Sequence, residues 1–124
     1  ADVSQKPILL AITVLTSLDE SDLAAVNIKK SPTEQVKTLA LMAKESGLDG
    51  VVASPKEISV IREAAGDDFL IVTPGVRPAW AATGDQKRVM TPAQALDEGA
   101  DYIVVGRPVT AAPDPAKALS KLFQ

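Results

Sequence analysis

The chain has no cysteine and no histidine. Without cysteine it can form no disulfide and offer no thiolate nucleophile or soft metal ligand. Without histidine it lacks the commonest general base, the commonest metal ligand and every Ser-His-Asp or Cys-His arrangement. Its carboxylates are scattered, so no metal site is expected. Aromatic residues make up 3%, too few for a base-stacking surface. There is no basic run, and the net charge of −3 gives no reason to expect nucleic acid or an acidic membrane surface as a partner. The longest apolar runs, Ile8–Ile12 among them, are far too short to span a bilayer, and nothing resembles a signal peptide. The expectation is a cytoplasmic chain whose chemistry, if any, comes from Asp, Glu, Lys, Arg and backbone.

What is present is a repeating pattern. At 124 residues and 46% apolar content, the sequence fits a single domain over 1–124, without linker or low-complexity segment. Residues 1–7 read as the frayed end of something earlier. Ile8–Leu15 is a near-continuous apolar run, as in a parallel strand buried on both faces. Ser17-Leu18-Asp19-Glu20 has capping-box spacing for a short helix through about Val26. Ser31-Pro32-Thr33-Glu34 starts a longer helix with Val36, Leu39, Ala40 and Ala43 on one face and Gly47 as its stop. Gly50–Ala53 is a second strand, and Ser54-Pro55-Lys56-Glu57 restarts a helix in the same way, with Ile58, Ile61 and Ala65 inward. Phe69–Thr73, a helix over Thr91–Glu98, and Tyr102–Val105 follow. Asp114-Pro115 opens a last helix with Ala118, Leu119 and Leu122 as its apolar stripe. Strands alternating with helices four times predict an α/β fold with a parallel sheet. Gly47–Pro55 and Gly99–Pro108 echo each other, each running glycine, aspartate, apolar strand and proline turn; Asp49 and Asp101 read as turn residues.

The organising stretch is Phe69–Thr110. Two apolar runs each stop at a glycine followed within two residues by an arginine, which gives Gly75-Val76-Arg77 and Gly106-Arg107. Strand ends that place arginines beside flexible backbone and a helix start suit an anion, most often phosphate. Four βα units are half of an eight-fold barrel, whose common phosphate site follows its last two strands. The predicted architecture is therefore a (βα)4 half of a TIM-type barrel, a four-stranded parallel sheet with helices on the outer face.

Four ordered motifs carry a family resemblance: Leu10-Ala-Ile-Thr-Val-Leu-Thr16-Ser, Gly47-Leu-Asp-Gly-Val-Val-Ala-Ser54, Val72-Thr-Pro-Gly-Val-Arg-Pro78 with Gly84-Asp-Gln-Lys-Arg-Val-Met-Thr-Pro92, and Asp101-Tyr-Ile-Val-Val-Gly-Arg-Pro108. Together they resemble the C-terminal half of orotidine 5'-monophosphate decarboxylase, from its fifth strand to its eighth. By that resemblance Arg107 holds the substrate phosphate with the Gly106 and Arg107 amides close by. Gln86 reaches the phosphate and pyrimidine from a closing loop, Arg77 belongs to the substrate site, and Thr16 lines the pocket near the base. No cofactor is implied.

The sequence also departs from the family. The family's chemistry resembles proton delivery by the lysine of an Asp-x-Lys-x-x-Asp array on an earlier strand. Asp85-Gln86-Lys87 imitates the first three positions, but Met90 stands where the second aspartate belongs. Ala53 stands where many members have cysteine, and Trp80 stands where glycine is usual. The resemblance thus implies a half-barrel fragment of a lyase of pyrimidine biosynthesis (OMP to UMP plus CO2). It would bind phosphate or a UMP-like nucleotide and be inactive alone. Strands apolar on both faces would need cover on the open barrel face, so a homo-oligomer is expected, as a homodimer approximating a closed barrel or packed inner face on inner face. Two other readings stay open: a ligand-free folding or assembly module, and a subunit completed in trans by the other half.

Overall fold

The computed structural model describes residues 4–78, 80 and 90–122. Four strands, β1 (Leu10–Ile12), β2 (Gly50–Val52), β3 (Leu70–Thr73) and β4 (Tyr102–Ile103), form one sheet in the order β1-β2-β3-β4, with every neighbouring pair parallel. Parallel neighbours cannot be joined by a tight turn, so each connection crosses over through helix. The crossovers are α1 (Glu20–Ala25) with α2 (Pro32–Glu45), then α3 (Ile58–Ala65), then α4 (Pro92–Glu98). Two short helices, α5 (Arg107–Thr110) and α6 (Pro115–Ser120), follow β4. This is the (βα)4 half of a TIM-type barrel, an open sheet with helices on its outer face.

The helix starts follow local chemistry. Ser31 Oγ accepts the Glu34 N–H at 3.2 Å, and Pro32 fills the first helical position, where no N–H is needed. Thr91 and Gln94 close a reciprocal capping box at 3.2 and 2.9 Å. Gly99 ends α4 with a φ of 118°, a left-handed stop that a side chain would resist.

Several boundaries differ from the expected ones. The cap of α1 is Asp19, not Ser17: its carboxylate takes the Asp22 N–H at 2.9 Å, and Asp22 returns a bond to the Asp19 N–H at 2.9 Å. A pair of aspartates closes the box as well as the Ser-Glu pair the template seeks. Ser54 caps a 3-10 turn over Pro55–Glu57, and α3 begins only after it. Within Ile8–Leu15 only Leu10–Ile12 pair as strand, because β2 offers three residues to pair with. Val104 and Val105 likewise lie beyond β4.

The core lies between the sheet and the helices. Val51 and Ile71 pack with Val36 and Ala40 of α2, Ile58 and Ile61 of α3 and Ala95 of α4, all essentially inaccessible. The opposite face is only partly covered, with Val52 and Val72 half-buried. The register aligns Ile12, Val52, Val72 and Tyr102 in one row across all four strands. Ile12 is 63% and Tyr102 58% exposed, so the expectation of strands buried on both faces fails at the two edges. Leu119, expected on the inner stripe of α6, is also exposed, whereas Ala118 and Leu122 are buried. No helix among the described residues is long and apolar enough to cross a membrane.

Candidate functional site

Two cavities open at the C-terminal end of the sheet. In parallel α/β architectures this end collects ligands, because the loops that follow the strands meet there. The first cavity lies beyond β3 and β4. The chain leaves β3 through Pro74 and Gly75, which adopts a φ of 78°, and Val76 then bridges to Met90 while the Arg77 N–H donates to the Met90 carbonyl at 3.0 Å. This bridge ties the start of the loop to the foot of α4 and fixes where Arg77 leaves the backbone. Beyond β4 the chain passes Val104 and Gly106 into α5.

The two loops enclose a cavity of 250 Å³ whose wall includes Arg77, Gly106 and Arg107. Arg77 is half-buried and Arg107 exposed. A Cβ built on Gly106 would meet nothing within 4 Å, so the space above that backbone is open. The Val109 and Thr110 N–H groups are already spent on the Gly106 carbonyl, at 3.0 and 2.9 Å, and Pro108 has none. The N–H groups of Gly106 and Arg107 donate to no acceptor among the described residues. Two guanidinium groups and two backbone donors around an open glycine make a candidate anion cradle, since the planar fork of arginine fits two phosphate oxygens at once.

The cradle therefore brings together three of the five residues read from the sequence. Thr16 is not among them. It is exposed on the wall of the second cavity, beyond β1 and β2, and Asp19 rather than Thr16 caps the helix that follows. Gln86 lies outside the described residues. Trp80 is half-exposed and borders a separate hollow against Lys117 and Lys121 of the α6 segment.

The second cavity, of 390 Å³, contains a residue that sequence reading passed over. Glu57 is 4% exposed, and its Oε1 accepts the Thr33 hydroxyl at 3.3 Å. Its Oε2 is enclosed and meets no donor among the described residues. In the sequence, Glu57 reads as the closing glutamate of a second capping box; in the fold it turns away from Ser54 to the N-terminal turn of α2. On the rim of this cavity the Asp19 carboxyl is held below its ordinary value, first by the Ser21 hydroxyl and then by the Asp22 N–H. No group of three or more acidic residues among the described residues is placed to hold a metal ion.

A model of the Orotidine 5'-phosphate decarboxylase / HUMPS family matches residues 1–122. The chain belongs to this family. It is 63% identical over 113 residues to the orotidine 5'-phosphate decarboxylase of Moorella thermoacetica, a match covering 90% of the chain and 45% of that protein. The Geotalea daltonii enzyme of the same name is 61% identical, with 89% of the chain and 46% of that protein covered. Among solved structures, orotidine 5'-phosphate decarboxylase from Lactobacillus acidophilus superposes with a TM-score of 0.76 at 46% identity, covering 95% of the chain and 50% of that structure. The chain thus spans about half the length of the curated relatives it matches. The four motifs fall in order along the sheet, each containing all or part of one strand.

Proposed function

We propose that this chain binds the phosphate of a pyrimidine nucleotide such as uridine 5'-monophosphate in the cradle of Arg77, Gly106 and Arg107, with Gln86 joining from the loop between β3 and α4. The observation that carries the reading is the convergence of two arginines and two free backbone donors on one open glycine. Family membership supports it, since the relatives' names describe decarboxylases of a 5'-phosphorylated nucleotide. The 124 residues contain no Asp-x-Lys-x-x-Asp array, so the chain by itself should not decarboxylate orotidine 5'-phosphate.

The test follows the fluorescence of Trp80, the sole tryptophan, as uridine 5'-monophosphate and then inorganic phosphate are added. A saturable change that weakens at least ten-fold in Arg107→Ala supports the cradle, since a charge-assisted bidentate contact is worth about 1.5–3 kcal/mol. Binding that ignores the substitution, or no binding by calorimetry, removes it. Loss of the orotate chromophore by the purified chain alone would overturn the inactivity.

A second reading, compatible with the first, rests on the row Ile12, Val52, Val72 and Tyr102. An apolar face flanked by two unpaired strand edges favours self-association. Two copies related by a twofold axis along the strands would keep every strand parallel and set β4 of each beside β1 of the other. Two copies also supply the length that the matched relatives have in one chain.

A further inference from the structure

The two cavities at the C-terminal end of the sheet are opposite in sign. The cradle beyond β3 and β4 carries two arginines and, among the described residues, no acid. The cavity beyond β1 and β2 is lined by Asp19, Glu20 and Glu57, against Lys56 as its one basic group among the described residues. At 390 Å³ it lies within the range of small-molecule sites, and it is far larger than a single ion requires.

Glu57 gives this cavity its direction. The side chain is more than nine-tenths buried, one oxygen is occupied by the Thr33 hydroxyl, and the other faces no protein donor among the described residues. A buried carboxylate oxygen without a donor is unfavourable, and a cationic N–H group satisfies both its charge and its lone pairs. The surrounding wall is partly apolar, with Val14, Leu18 and Val36 available to a hydrocarbon chain. Asp19 and Glu20 at the mouth add an attractive field for a cation entering from water.

We propose that this cavity is a second ligand site, separate from the phosphate cradle, that takes a small organic cation with N–H donors. An alkylguanidinium or alkylammonium would place its donors on Glu57 Oε2 and its alkyl chain on Val14, Leu18 and Val36. The proposal does not depend on the nucleotide reading, because none of the cradle residues takes part.

Butylguanidinium and its uncharged isostere butylurea are the probes. Calorimetry on the unmodified chain should show saturable binding of butylguanidinium and at least ten-fold weaker binding of butylurea. Glu57→Gln should lose the preference for the cation. Glu20→Gln, at an exposed position outside the core, should weaken the cation several-fold and decides the matter if Glu57→Gln fails to fold. In a 1H–15N spectrum the cation should shift the Thr33 and Glu57 amides and leave Arg107 unmoved, and uridine 5'-monophosphate should not displace it. Equal binding of cation and urea, affinity unchanged in both variants, or no saturable binding to the unmodified chain overturns the proposal. Failure of phosphate binding in the companion titration would leave it standing.

Discussion

Asp101 holds Ile71 by both of its backbone polar groups. The Asp101 N–H donates to the Ile71 carbonyl at 2.9 Å, and Asp101 Oδ2 accepts the Ile71 N–H at 2.9 Å. Asp49 holds Leu9 in the same way, at 2.9 and 2.8 Å. Each aspartate stands two residues after a left-handed glycine and just ahead of a strand, so each fastens the entry of one strand to its neighbour. The repeated glycine-x-aspartate of the sequence is therefore a register device, used once for β1 with β2 and once for β3 with β4. A one-residue slip in either pair would turn its buried side chains to the open face.

Asp101→Ala should destabilise the chain more than Asp49→Ala. Asp101 also pairs with Arg62 at 2.5 Å, and that guanidinium bonds the carbonyls of Gly66, Asp67, Phe69 and Gly99 as well. Removing the carboxylate leaves the Ile71 N–H unmatched and a partly buried guanidinium without its counter-charge. The expected cost is about 1–3 kcal/mol. Asp49 makes no ion pair among the described residues, so its loss should cost less. Urea denaturation measures both; equal midpoints for the two variants would show that the Arg62 cluster adds nothing.

Gly50 and Gly106 should respond differently to alanine. At Gly50 a Cβ would lie 2.2 Å from the Leu70 carbonyl oxygen, a backbone atom that cannot move without breaking the β2–β3 ladder. Gly50→Ala should therefore lower stability by about 1–3 kcal/mol or more. At Gly106 nothing lies within 4 Å, and only the backbone angles (φ −106°, ψ −97°), outside the favoured α and β regions, weigh against a side chain, so the alanine variant should fold with a small loss of stability. Its methyl would stand in the proposed phosphate cradle instead, and uridine 5'-monophosphate affinity should fall. A Gly106→Ala protein that binds as well as the original would place the phosphate elsewhere.

The Asp19 cap predicts an acid-side loss of stability. Its folded-state pKa is lowered from the ordinary 3.8, chiefly by the Ser21 hydroxyl and the Asp22 N–H. In that window the unfolded chain binds the extra proton, so this contribution is fully present above 3.8 and declines as pH falls through the folded value. Asp19→Asn keeps a side-chain acceptor for the helix start but has nothing to titrate. The stability gap between the two proteins should be constant near neutrality and narrow in acid. A gap independent of pH would mean the carboxylate adds nothing beyond a neutral acceptor.

The α/β class was legible because strands alternate with helices, whereas the order β1-β2-β3-β4 rested on the arginine-bearing strand ends and the family resemblance, since doubly wound sheets alternate in the same way. Apolar runs marked β2 and β3 to within a residue, and Gly47 marked a helix end where φ is indeed positive. What failed was local competition between equivalent partners. Asp19 displaced Ser17 as a cap because an aspartate three residues on could answer it, and Glu57 left its expected capping role because α2 presents Thr33 to it. α5 was hidden because Gly106-Arg107-Pro108 also reads as a turn. Of the site, Arg77, Gly106 and Arg107 were legible as strand-end residues and converge in the fold. Thr16 sits in the other cavity, which no sequence pattern separates from the first.

The open face supplies the last prediction. Ile12 and Tyr102 end the row that crosses the sheet, and both are more than half exposed, so a charge at either position should leave the single chain's core intact. If a second copy covers the row, burying it removes apolar area worth roughly 25 cal/mol per Å². Ile12→Asp or Tyr102→Lys would then bury an unpaired charge and dissociate the pair. Sedimentation should find the unmodified chain dimeric at micromolar concentration and either variant monomeric with unchanged helical circular dichroism. Combining Ile12→Asp with Tyr102→Lys separates the two geometries. In a closed barrel β1 of one copy lies beside β4 of the other, so opposite charges at these rows meet and part of the association returns. In face-on-face packing the edges stay apart and the double variant remains monomeric. An unmodified chain that sediments as a monomer at all concentrations would show that the sheet tolerates its open face unaided.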